Sequence, residues 1–157
     1  MNNILLKVQR YLDIVSKSPV KLDDKLVQEF GEACKNALLK QFEDVRRDKF
    51  EPRMSNIGRP LCQLQMEKSN AEAEPMPYNF KMRNLFGDLI EASAVAIMKA
   101  AGIRIEELQK HVKLKLGKHN INGAYDVKIQ NKIWDIKSAS PWAFDNKFSD
   151  EGGFDAI

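Results

Sequence analysis

The sequence predicts an α+β domain, and three observations predict it. Apolar residues recur at helical spacing in the N-terminal third and again over 82–102. From about residue 111 the pattern changes to period two. Proline and glycine gather between these two regimes, over 51–80. The chain has 157 residues, 43% of them apolar and 30% charged, which suits one globular domain over 1–157 and excludes a disordered chain.

The elements follow in order. Residues 2–16 and 22–47 read as helices, separated by Pro19, with Asp23 and Asp24 suited to a first helical turn. In the second, Leu22, Leu26, Phe30, Ala33, Ala37, Leu38 and Phe42 mark an apolar stripe, so 1–50 is expected to be an N-terminal helical layer. Pro52, Gly58, Pro60, Pro75 and Pro77 predict a mostly irregular segment with a short helix near 59–67. A third long helix over 82–102 stops at Gly102. Its apolar residues, among them Leu85, Phe86, Leu89, Ile90, Val95 and Met98, cover nearly every direction, which predicts extensive burial. His111–Leu116 alternates, Gly117–Asn120 is turn-like, and Ala124–Ile129 and Lys132–Ser138 read as two further strands. The tail from Ser140 is irregular.

Composition excludes several classes. With 25 Lys+Arg against 22 Asp+Glu the net charge is +3, so any basic surface must be local. No apolar run approaches the ~18 residues of a membrane span, and the start MNNILLKVQRYLDIV is too polar for a signal peptide. Cys34 and Cys62 are too few for a four-thiolate zinc or iron–sulfur site, and His111 and His119 lack finger-like spacing. A reducing, cytoplasmic setting is expected.

The informative stretch is the hairpin Ala124–Lys137. A loop of Gln130–Asn131, or of the four residues Ile129–Lys132, gives the same register and sets Asp126 opposite Asp135. Lys137 then lies two residues on along that face, while Tyr125, Val127, Ile129, Trp134 and Ile136 form an apolar opposite face. Two carboxylates across a ladder repel unless a cation sits between them, and hard oxygen donors suit Mg²⁺ or Mn²⁺. The plainer alternative is that both aspartates simply face water. Glu91 adds a third acid: its helical neighbours are Gly87, Ala94, Val95 and Met98, and a carboxylate on so apolar a surface is costly unless paired or bound to a metal; the plainer alternative is a helix edge where Glu91 and Asp88 reach water.

These pieces resemble the PD-(D/E)XK nuclease superfamily, in particular its RecB-type and phage-type exonucleases. The matching residues are Gly87-Asp88-Leu89-Ile90-Glu91, Asn122-Gly123-Ala124-Tyr125-Asp126 and Trp134-Asp135-Ile136-Lys137, within a catalytic core at 82–140. Ser55-Asn56-Ile57-Gly58-Arg59-Pro60-Leu61-Cys62 is similar to the segment that precedes the catalytic helix in many RecB-type members. The resemblance implies a restriction-endonuclease-like core, a central mixed sheet flanked by helices. It implies that Asp126, Asp135 and the Ile136 carbonyl bind Mg²⁺ or Mn²⁺, that Glu91 is a further acid there, and that Lys137 orients or deprotonates the attacking water. It implies a deoxyribonuclease, an exonuclease of replication, recombination or phage DNA processing, without the iron–sulfur cluster of four-cysteine members. The family usually adds a helix and strand after the D-x-K strand, so the resemblance leaves two expectations, a minimal member or a C-terminally incomplete core. The alternative is a catalytically incomplete module that binds DNA or a protein partner.

DNA is the expected partner and no membrane is expected. The candidate phosphate contacts are Arg53, Arg59, Lys68, Arg83, Lys128 and Lys137, with Ser138 and Ser140 as hydrogen-bond donors. Lys113, Lys115 and Lys118 line a strand edge, and Trp142 is available to stack on a base or to fill the core.

Overall fold

A computed structural model describes residues 2–43, 50–69, 75–117, 119–138 and 146. Ser140, Trp142, Lys118 and the expected helical residues 44–47 lie outside the described residues. The chain forms α1 (Asn2–Lys17), α2 (Asp24–Phe42), one 3₁₀ turn (Met54–Asn56), α3 (Leu61–Lys68) and α4 (Tyr78–Ala100). Three strands follow, β1 (Glu107–Leu116), β2 (His119–Ile129) and β3 (Lys132–Trp134), in spatial order β1-β2-β3. The architecture is α+β. Among the described residues the sheet is antiparallel, and its only parallel contact is a single bridge from Arg53 to Asn122.

The core sits between α4 and the sheet. Val95 from α4, Ile103 from the loop after it, and Val127 and Ile129 from β2 form its buried centre. Ile4, Val8, Met98, Ala101, Ile105, Trp134 and Ile136 pack around them. Val127 and Ile129 are 0% and 2% exposed, and burying side chains of this size contributes roughly 1.5–3 kcal/mol each. Helix α2 lies along α4, tied to it by Lys99–Glu29 at 2.7 Å and Lys40–Asp88 at 2.8 Å. Ion pairs this accessible add little to the apolar contact.

Helix α4 ends where Gly102 predicts. Gly102 has φ +71, its N–H donates to the Lys99 carbonyl, and the Ile103 N–H donates to the Met98 carbonyl. This paired arrangement closes the helix and turns Ile103 into the core. The start is earlier than expected, at Tyr78, because Pro77 sits just before the first turn, where its missing N–H costs nothing. The expected all-round burial is not what the helix shows. Leu85 and Val95 are buried, but Phe86 is 56% and Ile90 47% exposed. An apolar surface states a capacity for contact, and among the described residues α2 and the sheet cover only part of it.

The hairpin register is the expected one. Val127 faces Trp134, Lys128 faces Ile133 and Ile129 faces Lys132. Gln130 and Asn131 form the two-residue turn with φ +52 and +59, the left-handed pair that a right-twisted hairpin needs. Other strand ends differ from expectation. Strand β1 begins at Glu107 rather than 111, and β2 begins at His119, which pairs with Leu116, so His119 and Asn120 of the expected turn belong to the strand. Strand β3 stops at Trp134 rather than continuing to Ser138, and just beyond it the Ile136 N–H donates to the Asp126 side chain.

Candidate functional site

Asp126 sits near the end of β2, and Asp135 directly follows β3. Extending the observed pairing by one step sets the two opposite each other. Asp126 is half-buried, and its Oδ2 accepts the Ile136 N–H at 2.6 Å. Burial pushes the Asp126 carboxyl above its ordinary value, and the Asp135 carboxyl beside it pushes further, by hydrogen bond and by like charge. The Ile136 N–H and the Lys137 ammonium act the other way. Lys137 Nζ donates to Asp135 Oδ1 at 3.0 Å, and both side chains are exposed. The structure therefore brings Asp126, Asp135, Ile136 and Lys137 together at one edge of the sheet.

This donor set suits a hard divalent cation. Two carboxylates in contact, one of them partly desolvated, hold their negative charge at a cost that a cation between them removes. Asp126, Asp135 and the Ile136 carbonyl are the groups that would hold it.

Glu91 takes a different place from the one its apolar neighbours suggest. It is half-buried on α4 and accepts a hydrogen bond from Gln109 Nε2 at 2.9 Å. It lines a groove of about 650 Å³ between α2, α4 and β1, together with Lys40, Asp88, Lys99 and Leu108. Asp88 is engaged there by Lys40 at 2.8 Å and by Gln41 at 3.0 Å. The carboxylate is thus compensated by polar neighbours rather than stranded in the core. Among the described residues no group of three or more His, Cys, Asp or Glu lies close enough to share an ion.

Glu91 nevertheless connects to the acid pair through one position of the sheet. The pairs Leu108–Val127 and Lys110–Tyr125 bracket Gln109 opposite Asp126. Gln109 has φ +45, a left-handed conformation that costs a non-glycine residue about 1–2 kcal/mol. Sequence reasoning missed this residue, because Gln109 precedes the alternating run that begins at His111 and nothing in a glutamine signals a positive φ.

The glycine of the G-x-x-D stretch has a packing role. A Cβ on Gly123 would lie 2.7 Å from Met54 Sδ, so the bare backbone admits the 3₁₀ turn against β2. Beside it the Asn122 N–H donates to the Pro52 carbonyl at 2.9 Å, and the Asn122 side chain donates to Glu51. The segment that precedes the helices of the core is in this way hooked onto the strand that carries Asp126.

The remaining candidates scatter. Arg53 and Arg59 both approach Glu67, at 3.8 Å and 3.1 Å. Lys128 lies 4.0 Å from Glu106 and 3.8 Å from Glu107. Lys68, Arg83 and Ser138 are exposed, as are His111, His119, Lys113 and Lys115. A second polar cluster, unforeseen from the sequence, joins Glu107 to Lys110 and to the Tyr125 hydroxyl. Lys110 and then Tyr125 hold the Glu107 carboxyl below its ordinary value. Among the described residues no helix is long and apolar enough to cross a membrane.

Compared with known proteins, the chain matches no family model, no curated protein and no solved structure.

Proposed function

We propose that this protein is a Mg²⁺/Mn²⁺-dependent deoxyribonuclease of the PD-(D/E)XK type, an exonuclease acting in replication, recombination or phage DNA processing. The observation that carries the reading is the meeting of Asp126 and Asp135 with Lys137 bonded to one of them. Like charges placed together at the end of a core hairpin weaken the fold unless a ligand uses them.

The geometry supports a division of labour. Asp126 and Asp135 bind and orient the divalent ion, and the Ile136 N–H fixes the Asp126 carboxylate through Oδ2. The ion, when bound, would supply the positive charge that acidifies an attacking water and stabilises the extra charge on phosphate. Lys137 has three N–H donors, of which one is committed to Asp135, so the others can hold that water or a phosphate oxygen. Glu91 would reach the site through Gln109, as a positioning group for the strand that faces Asp126.

The test is degradation of linear, circular and single-stranded DNA by pure protein. The expected result is cleavage that EDTA stops, that needs a DNA end, and that Asp126→Ala, Asp135→Ala or Lys137→Ala abolishes with the fold retained. Loss of activity only in variants that also unfold overturns the proposal.

One observation favours a second reading. Glu91 is engaged by Gln109 rather than by the aspartate pair. A module that binds DNA through this surface without cutting it needs only the pair and nearby cations. It predicts no cleavage with either metal and binding that weakens steeply with salt.

A further inference from the structure

The 53–59 turn and α3 form a cluster that the acid pair does not use. Three donors converge on the Glu67 carboxylate. Arg59 Nη1 lies 3.1 Å from Oε1, Arg53 Nη2 lies 3.8 Å from Oε2, and Asn56 Nδ2 lies 3.4 Å from Oε2. Asn56 is the one buried polar residue of the described chain, and its Oδ1 accepts the Arg53 N–H at 3.0 Å, which fixes the turn. Two guanidiniums and an amide aimed at a single pair of oxygens are the donor set that recognises phosphate. Glu67 is a monoanion with the same two-oxygen face, held at the same place.

The position of this cluster matters as much as its chemistry. Arg53 bridges to Asn122, and Asn122 lies four residues along β2 from Asp126. At strand spacing that is about 13 Å, the length of about four base-pair steps of a duplex.

We propose that Arg53, Arg59 and Asn56 form a binding site for a backbone phosphate of the nucleic acid, occupied in the free protein by Glu67, which must release the arginines before the phosphate can enter. The inference rests on the nucleic-acid reading of the preceding subsection. Glu67 is then an internal competitor: it holds the turn in shape without DNA and reduces affinity for DNA. Its side chain is 30% exposed, within reach of water when displaced.

The experiment measures binding of a short fluorescein-labelled DNA duplex, with Ca²⁺ in place of Mg²⁺, as salt is raised. Glu67→Gln keeps the shape of the side chain and removes its charge. It is expected to bind about 3–10-fold tighter than wild type at low salt, with a log K against log salt slope steeper by about one. Adding Arg53→Ala and Arg59→Ala to that variant should remove the gain. If Glu67→Gln melts early, Glu67→Asp, which withdraws the charge by one methylene, should give a smaller gain in the same direction. Equal or weaker binding by a folded Glu67→Gln or Glu67→Asp protein, while wild type binds and cleaves DNA, overturns this inference and leaves the nuclease proposal standing. Absence of DNA binding by every variant overturns both.

Discussion

The β1–β2 ribbon carries acids in two places and treats them in opposite ways. Glu107 meets Lys110, the Tyr125 hydroxyl and, at 3.8 Å, Lys128, and its carboxyl is held below the ordinary range. Asp126, on the neighbouring strand, is partly desolvated and meets another carboxylate, and its carboxyl is pushed up. The first arrangement explains itself as an internal ion pair. The second does not, because an acid set against an acid costs stability when both are ionised. The proposed metal site therefore belongs with Asp126 and Asp135 and not with Glu107, whose charge is already met within the chain.

The largest expected effect removes one side of the contrast. Asp126→Ala or Asp135→Ala should lower metal-dependent DNA hydrolysis on the order of a hundredfold or more, while Glu107→Gln leaves it within a few-fold, as measured by initial rates on linear DNA. Comparable losses in all three would erase the distinction between the two places.

Next comes the residue on which both depend. Ile129→Ala should cost about 2–5 kcal/mol in urea unfolding, because the cavity opens at the centre of the core beneath the hairpin. A loss well under that range would mean the hairpin is not held by its buried face.

The two acids also predict opposite responses to pH. Asp126 has a raised folded-state value, so the stability it contributes is full below the unfolded value of 3.8 and is lost as pH rises through the folded one. Glu107 has a lowered value, so its contribution is present above 4.5 and is lost as pH falls through the folded one. In EDTA, Asp126→Asn should therefore melt higher than wild type at pH 7, whereas Glu107→Gln should melt lower. Saturating Mg²⁺ should raise the melting temperature of wild type and leave Asp126→Asn unchanged.

The smallest effect concerns the turn that sets the register. Asn131→Gly relieves a residue at φ +59 but frees the unfolded chain, so the two offset and stability should shift by less than about 1 kcal/mol, without altering the rate of hydrolysis. A changed rate would show that the turn does more than hold Asp126 opposite Asp135.

The sequence made some parts of this molecule legible and hid others for identifiable reasons. The β2–β3 register was readable because alternation and turn length constrain it together. Strand β3 was expected to run to Ser138 because its pattern continues, yet the Ile136 N–H turns to a side chain instead of a strand, a choice invisible to periodicity. Glu91 was expected at the acid pair because its helical neighbours are apolar, but its groove is completed by Lys40 and Gln109 from elements 51 and 18 residues away in sequence. Arg53 and Arg59 are legible as candidate phosphate contacts, but nothing in the sequence joins them to a shared partner in Glu67.

The sequence by itself pointed to a register that sets Asp126 opposite Asp135, since loops of two or of four residues give the same pairing; the observed two-residue turn, with Val127 and Ile129 buried, rules out the one-residue slip that would have turned the pair to opposite faces. Only the tertiary structure decided that Glu91 pairs with Gln109 and that Glu67 gathers two arginines. Those contacts depend on how separate elements approach one another, and local spacing carries no information about that approach.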